Sequence, residues 1–182
     1  MTRLALISTM VGSAIIAVRL PGVLVPSRHR EFLVKFPRSV LWGRVLITVA
    51  GLIAWWVMFN AARDSDEWKW AQPFVVIGVP VALFLVYRYS VHYLALRATA
   101  ALLLLLAKQM VDAADASETV LRLFVTVLAY IWVVASIWMT VAPHHFRDLI
   151  DWAMANDERC RTVCSLGICL GAVLMALGVL AY

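Results

Sequence analysis

Arg97 is the side chain with the greatest chemical consequence in this sequence. It falls inside a long apolar stretch, residues 89–107, where a guanidinium costs about 2.5–3.5 kcal/mol on insertion scales. It is therefore expected to face protein, water or a lipid phosphate. His92, five residues earlier, lies on a neighbouring part of the same helical surface, so the pair would suit an anionic solute or a lipid headgroup. The opposing expectation is that the segment begins later and Arg97 carries its charge out to the interface on its apolar stem.

The other residues capable of chemistry form no complete site. The histidines are His29, His92, His144 and His145. A bis-histidine haem needs two at facing depths, and only His92 is expected at depth, while adjacent His144 and His145 point in different directions on a helix. All eleven acids fall in connections or at segment ends, which disfavours a buried carboxylate relay of the kind proton- and sodium-coupled transporters use. Asp112, Asp115 and Glu118 read as a solvated acidic connection rather than a divalent metal site. Cys160, Cys164 and Cys169 read as small apolar helix residues, with neither a disulfide framework nor a tight Cys-x-x-Cys pair. No nucleophile elbow and no glycine-rich phosphate loop is present. No cofactor and no metal are expected.

What must position these residues is a set of apolar helices. Of 182 residues, 64% are hydrophobic and the mean hydropathy is +0.88, more than one water-soluble core can use. The length suits five or six spans of ~20 residues and little besides. The net charge of +5 sits beside apolar segments, where basic residues set membrane orientation and meet anionic lipid, so it argues for no nucleic-acid partner. Apolar segments are expected at about residues 4–25, 40–59, 71–87, 89–107, 119–142 and 162–182. The first is read as a retained span rather than a cleaved signal. Tryptophans 42, 55, 56, 68, 70, 138 and 152 cluster near segment ends, as interfacial indoles do. The junction at residues 87–90 holds no turn residue. The third and fourth segments are thus either a tight hairpin, giving six spans, or one long projecting helix, giving five. Six spans divide the sixteen basic residues eleven to five across the membrane; five spans divide them less unequally. Six is the expectation.

A shift of 117 residues carries Pro26 onto Pro143, Arg30 onto Arg147, Glu31 onto Asp148 and Arg44 onto Arg161. Each unit reads as a span, a proline-headed amphipathic segment, a boundary arginine and a second span. In the second copy Phe146, Leu149, Ile150, Ala153 and Met154 form one apolar face with Arg147, Asp148 and Asp151 opposite, the pattern of a helix lying on headgroups. Arg30, Arg44, Arg147 and Arg161 are the expected lipid-interface residues. With six spans the two copies point the same way; with five they are inverted.

The run Ala142-Pro-His-His-Phe-Arg-Asp-Leu-Ile150, followed by Arg161, Gly167 and Gly171, resembles the small two-helix bacterial inner-membrane proteins of the YjeT type. Their pattern is a proline, an aromatic-basic pair, an arginine and a glycine-rich second span. The likeness covers roughly the last 60 residues and, more loosely, the first 60. It departs in length, in the two middle segments, and at His29, where the first copy lacks the aromatic. The family has no assigned activity, so the resemblance implies a bacterial inner-membrane setting and nothing catalytic.

The sequence thus leads us to expect an all-α integral membrane protein of about six spans with short interfacial helices and an internal duplication. It divides into an N-terminal hairpin with a basic loop (1–59), a central pair (60–118) and a C-terminal hairpin (119–182). The expected function is that of a non-catalytic accessory or scaffold subunit in a larger hetero-oligomeric membrane complex, with other integral membrane proteins and anionic lipids as partners. The alternatives are a small transporter or channel for an anionic solute or lipid using Arg97 and His92, and a haem- or quinone-binding redox anchor.

Overall fold

The computed structural model describes residues 2–64, 66–89 and 94–180. These are helical almost throughout, with no strand among them. The helices are α1 (Arg3–Leu24), α2 (Pro26–Lys35), α3 (Val40–Asp64), α4 (Gln72–Tyr89), α5 (Leu94–Asp115), α6 (Arg122–Val141), α7 (Pro143–Ala153) and α8 (Asp157–Leu180). Short 3-10 turns at Phe36–Arg38 and Asp66–Ala71 lead into α3 and α4. Among the described residues six helices are long and apolar enough to cross a membrane: α1, α3, α4 with its preceding turn, α5, α6 and α8.

Local chemistry sets several ends. The Thr2 hydroxyl accepts a hydrogen bond from the Ala5 amide and caps α1. Prolines open α2 and α7, where a missing N–H costs nothing. The starts of α2 and α3 lie at Pro26 and Val40, those of α7 and α8 at Pro143 and Asp157. The shift of 117 residues superimposes both pairs.

The tightest packing joins the two ends of the chain. A methyl group placed on Gly12 would lie 2.6 Å from the Gly171 carbonyl oxygen, and one on Gly171 would lie 2.8 Å from the Gly12 carbonyl oxygen. Gly178 meets Thr9, while Gly22 meets Cys164. Backbones this close require residues without side chains. The order of contacts reverses along the two helices, so α1 and α8 are antiparallel. Antiparallel ends are what six crossings produce; five would make these helices parallel.

The centre is α5, which packs on α6, α3 and α1. At one end of the bundle Leu4, Val11, Ala107, Met110, Val125, Ala129 and Leu174 form the largest core cluster. At the opposite end lie α2 and α7, and we call this the capped end. There Leu96, Ala100 and Met139 pack with Phe146, and Met154, Cys160 and Cys164 pack with Leu33 and Ile150. The apolar face of α7 therefore wedges against the bundle through Phe146 and Ile150, leaving Leu149 and Trp152 exposed.

The junction between α4 and α5 divides two helices. Arg44 near the start of α3 stacks on Tyr87 near the end of α4, while Gly43 touches Leu94 and Ala95 at the start of α5. Thus α4 and α5 run in opposite directions and are two separate helices, each long and apolar enough to cross a membrane.

Candidate functional site: an arginine-flanked groove

The ends of α3, α4 and α5 at the capped end bear Arg44, Arg88 and Arg97. Arg97 lies in the first described turn of α5 with its side chain exposed. Helix α5 runs on to Asp115, eight residues past the expected end of the segment. The charge-free part of α5, Ala98–Ala107, has ten residues, about 15 Å of helix, or half of a ~30 Å hydrocarbon layer. In α3 the corresponding stretch, Val45–Ala62, has eighteen. Charge thus reaches deeper towards the middle on α5 than on α3. Arg97 makes no hydrogen bond or ion pair with any described residue. His92, its expected companion, lies outside the described residues.

Between α3, α4 and α5 runs a groove of about 760 Å³. Its walls include Ile47, Gly51, Gly78, Leu83, Ala101 and Leu104, and every residue along it is apolar. Small residues keep it open: a methyl group on Gly78 would meet nothing within 4 Å. Arg44 precedes Ile47 by one helical turn and Gly51 by two, and Arg97 stands likewise to Ala101 and Leu104. Each arginine thus shares a helix face with groove-lining residues.

The other expected interface arginines also lie at the capped end, in different settings. Arg30 pairs with Asp157 at 3.1 Å and donates to the Ala155 carbonyl, tying α2 to the start of α8. Its sequence neighbour Glu31 bonds Lys35 instead, which holds that carboxyl below its usual range. In the second copy Arg147 does pair with the adjacent Asp148, at 2.7 Å, and lowers that carboxyl's pKa. These are exposed pairs of small energetic value. Arg161 lies exposed in the second turn of α8, as Arg44 does in α3.

His29 is half-buried on α2, with its Nε2 atom enclosed and unpartnered. Burial first, then the Arg19 guanidinium, pull its pKa below the ordinary histidine value. The His144 and His145 rings lie 4.2 Å apart on α7. Among the described residues no three His, Cys, Asp or Glu side chains are grouped to hold a metal ion. Asp112 pairs with Lys108 on the exposed side of α5.

The groove had no signal in any single segment. Its walls come from three helices, and only the alanine and glycine content of each hinted at close or incomplete packing. No family model, curated protein or solved structure matches this chain, so the likeness to the YjeT type rests on its few shared residues alone.

Proposed function

We propose that this chain is a non-catalytic accessory subunit of a larger membrane assembly, inserted by six crossings in a bacterial inner membrane. The observation that carries the reading is the position of α4. It packs chiefly on α3, only 6% of its apolar window is buried, and Ile77, Val81 and Phe84 are exposed along it, outside the groove. A helix held from one side leaves a broad face for a neighbouring membrane protein. The amphipathic α2 and α7 fix the depth of the capped end. That end carries eleven basic residues against five acids, the far end five against six, an asymmetry that supports a cytoplasmic capped end. The coincidence of helix starts at the 117-residue shift supports duplication of a hairpin with both copies facing the same way.

The test is purification of the tagged chain from its own membranes in mild detergent, with a photoreactive residue at Phe84 or, separately, at Val134 on α6. One integral membrane partner is expected in fixed ratio, with protein adducts from Phe84 and not from Val134. A lone chain without adducts would overturn the proposal. The short charge-free stretch of α5 favours a second reading, a path for an anionic lipid or solute past Arg97. That reading requires flux in proteoliposomes that Arg97→Ala removes.

A further inference from the structure

We propose that the groove between α3, α4 and α5 holds an acyl chain of an anionic phospholipid from the capped-end leaflet, with Arg44 and Arg97 binding its phosphate. Three observations combine. The groove is apolar along its whole length, so an occupant must be hydrocarbon over that length; its volume lies within the range of ligand-sized cavities. Its two flanking arginines sit at one end only and share helix faces with the walls, so a ligand with one anionic head and an apolar tail matches it in order as well as in chemistry.

The third observation is charge complementarity. All five acids of the capped end, Glu31, Asp148, Asp151, Asp157 and Glu158, belong to α2, α7 and α8. None lies on α3, α4 or α5 at that end. Arg30 and Arg147 are neutralised by carboxylates, whereas among the described residues the Arg44 guanidinium meets only the face of the Tyr87 ring, 4.8 Å from its central carbon. An arginine stacked on an aromatic ring keeps its N–H donors free for a phosphate. Arg97, a few residues from the Gly43–Ala95 contact, supplies a second cation. The shortness of the charge-free stretch on α5 draws that cation towards the hydrocarbon edge, the depth of a lipid phosphate rather than of bulk water. This site is independent of whether a protein covers the outer face of α4.

The experiment is native mass spectrometry of the full chain released from nanodiscs containing equal parts phosphatidylglycerol and phosphatidylethanolamine. Retention of one phosphatidylglycerol is expected at least tenfold above phosphatidylethanolamine. The Arg44→Gln/Arg97→Gln double variant should abolish that preference while leaving the thermal midpoint in place. Gly78→Leu, which fills open space, should reduce retention of both lipids. Retention indifferent to headgroup charge, or a preference that survives the arginine double variant, overturns the proposal. So does a partner protein helix, rather than lipid, cross-linking to position 78.

Discussion

Gly12→Val should lower the unfolding midpoint in detergent by the equivalent of about 3 kcal/mol, the upper end of overpacking costs. The reason is what the new carbon would meet. At 2.6 Å stands the Gly171 carbonyl oxygen, a backbone atom that cannot rotate away as a side chain can. The two helices must separate along the seam, and close packing of small residues is what holds helices together where lipid is as apolar as protein. Gly171→Val should behave alike, since its nearest contact is the Gly12 carbonyl. Gly78→Ala is the control. It meets nothing within 4 Å and gains roughly 0.8–1.0 kcal/mol of helix propensity, so it should be neutral or stabilising. Equal stability of Gly12→Val and Gly78→Ala, measured by thermal unfolding, would refute the seam.

The second large effect separates a membrane protein from a water-soluble helical bundle. Val134 lies in the middle of α6 and is 67% exposed. On an aqueous surface Val134→Asp would change stability by less than ~0.5 kcal/mol. In the centre of a bilayer an aspartate costs about 2.5–3.5 kcal/mol. We expect Val134→Asp, and Ile77→Asp on α4, to reduce the carbonate-resistant membrane fraction several-fold, while Thr119→Asp in the exposed connection before α6 leaves it unchanged. Unaltered membrane retention of both mid-helix variants would mean that these faces meet water.

Much of the helical framework was legible in the sequence because long apolar runs have few alternatives. The ends that shifted did so for local physical reasons. Helix α8 starts at Asp157 rather than near Thr162, because Asp157 and Glu158 suit the positive end of a helix although they read as a loop. Helix α5 extends to Asp115 because its last two turns bury Ala107, Met110, Ala113 and Ala114 while Lys108, Asp112 and Asp115 face out, a pattern that average hydropathy hides. Partner choice was not legible. The spacing of Gly167 and Gly171 announces a close helix contact but not that α1, at the other end of the chain, supplies it. Arg97 stood out by itself, yet its relation to Arg44 and to a shared groove depends on α3 and α5 starting side by side, which no local signal encodes. The adjacent residues Arg30 and Glu31 coincide with Arg147 and Asp148 at the 117-residue shift, yet they do not pair with each other. In the fold each finds another partner, because α8 brings Asp157 to Arg30 and Lys35 lies one turn from Glu31.

The arrangement stands or falls on which residues share a side of the membrane. The direct measurement uses a variant with Cys160, Cys164 and Cys169 replaced, carrying single cysteines at exposed positions: Ser27→Cys and Ala155→Cys at the capped end, Ala61→Cys and Ala116→Cys at the far end. A membrane-impermeant maleimide is applied to intact cells and then to inverted vesicles. Six crossings predict that positions 27 and 155 label together from the cytoplasmic side only, and positions 61 and 116 together from the opposite side. Labelling of 27 and 155 from opposite sides would contradict the account.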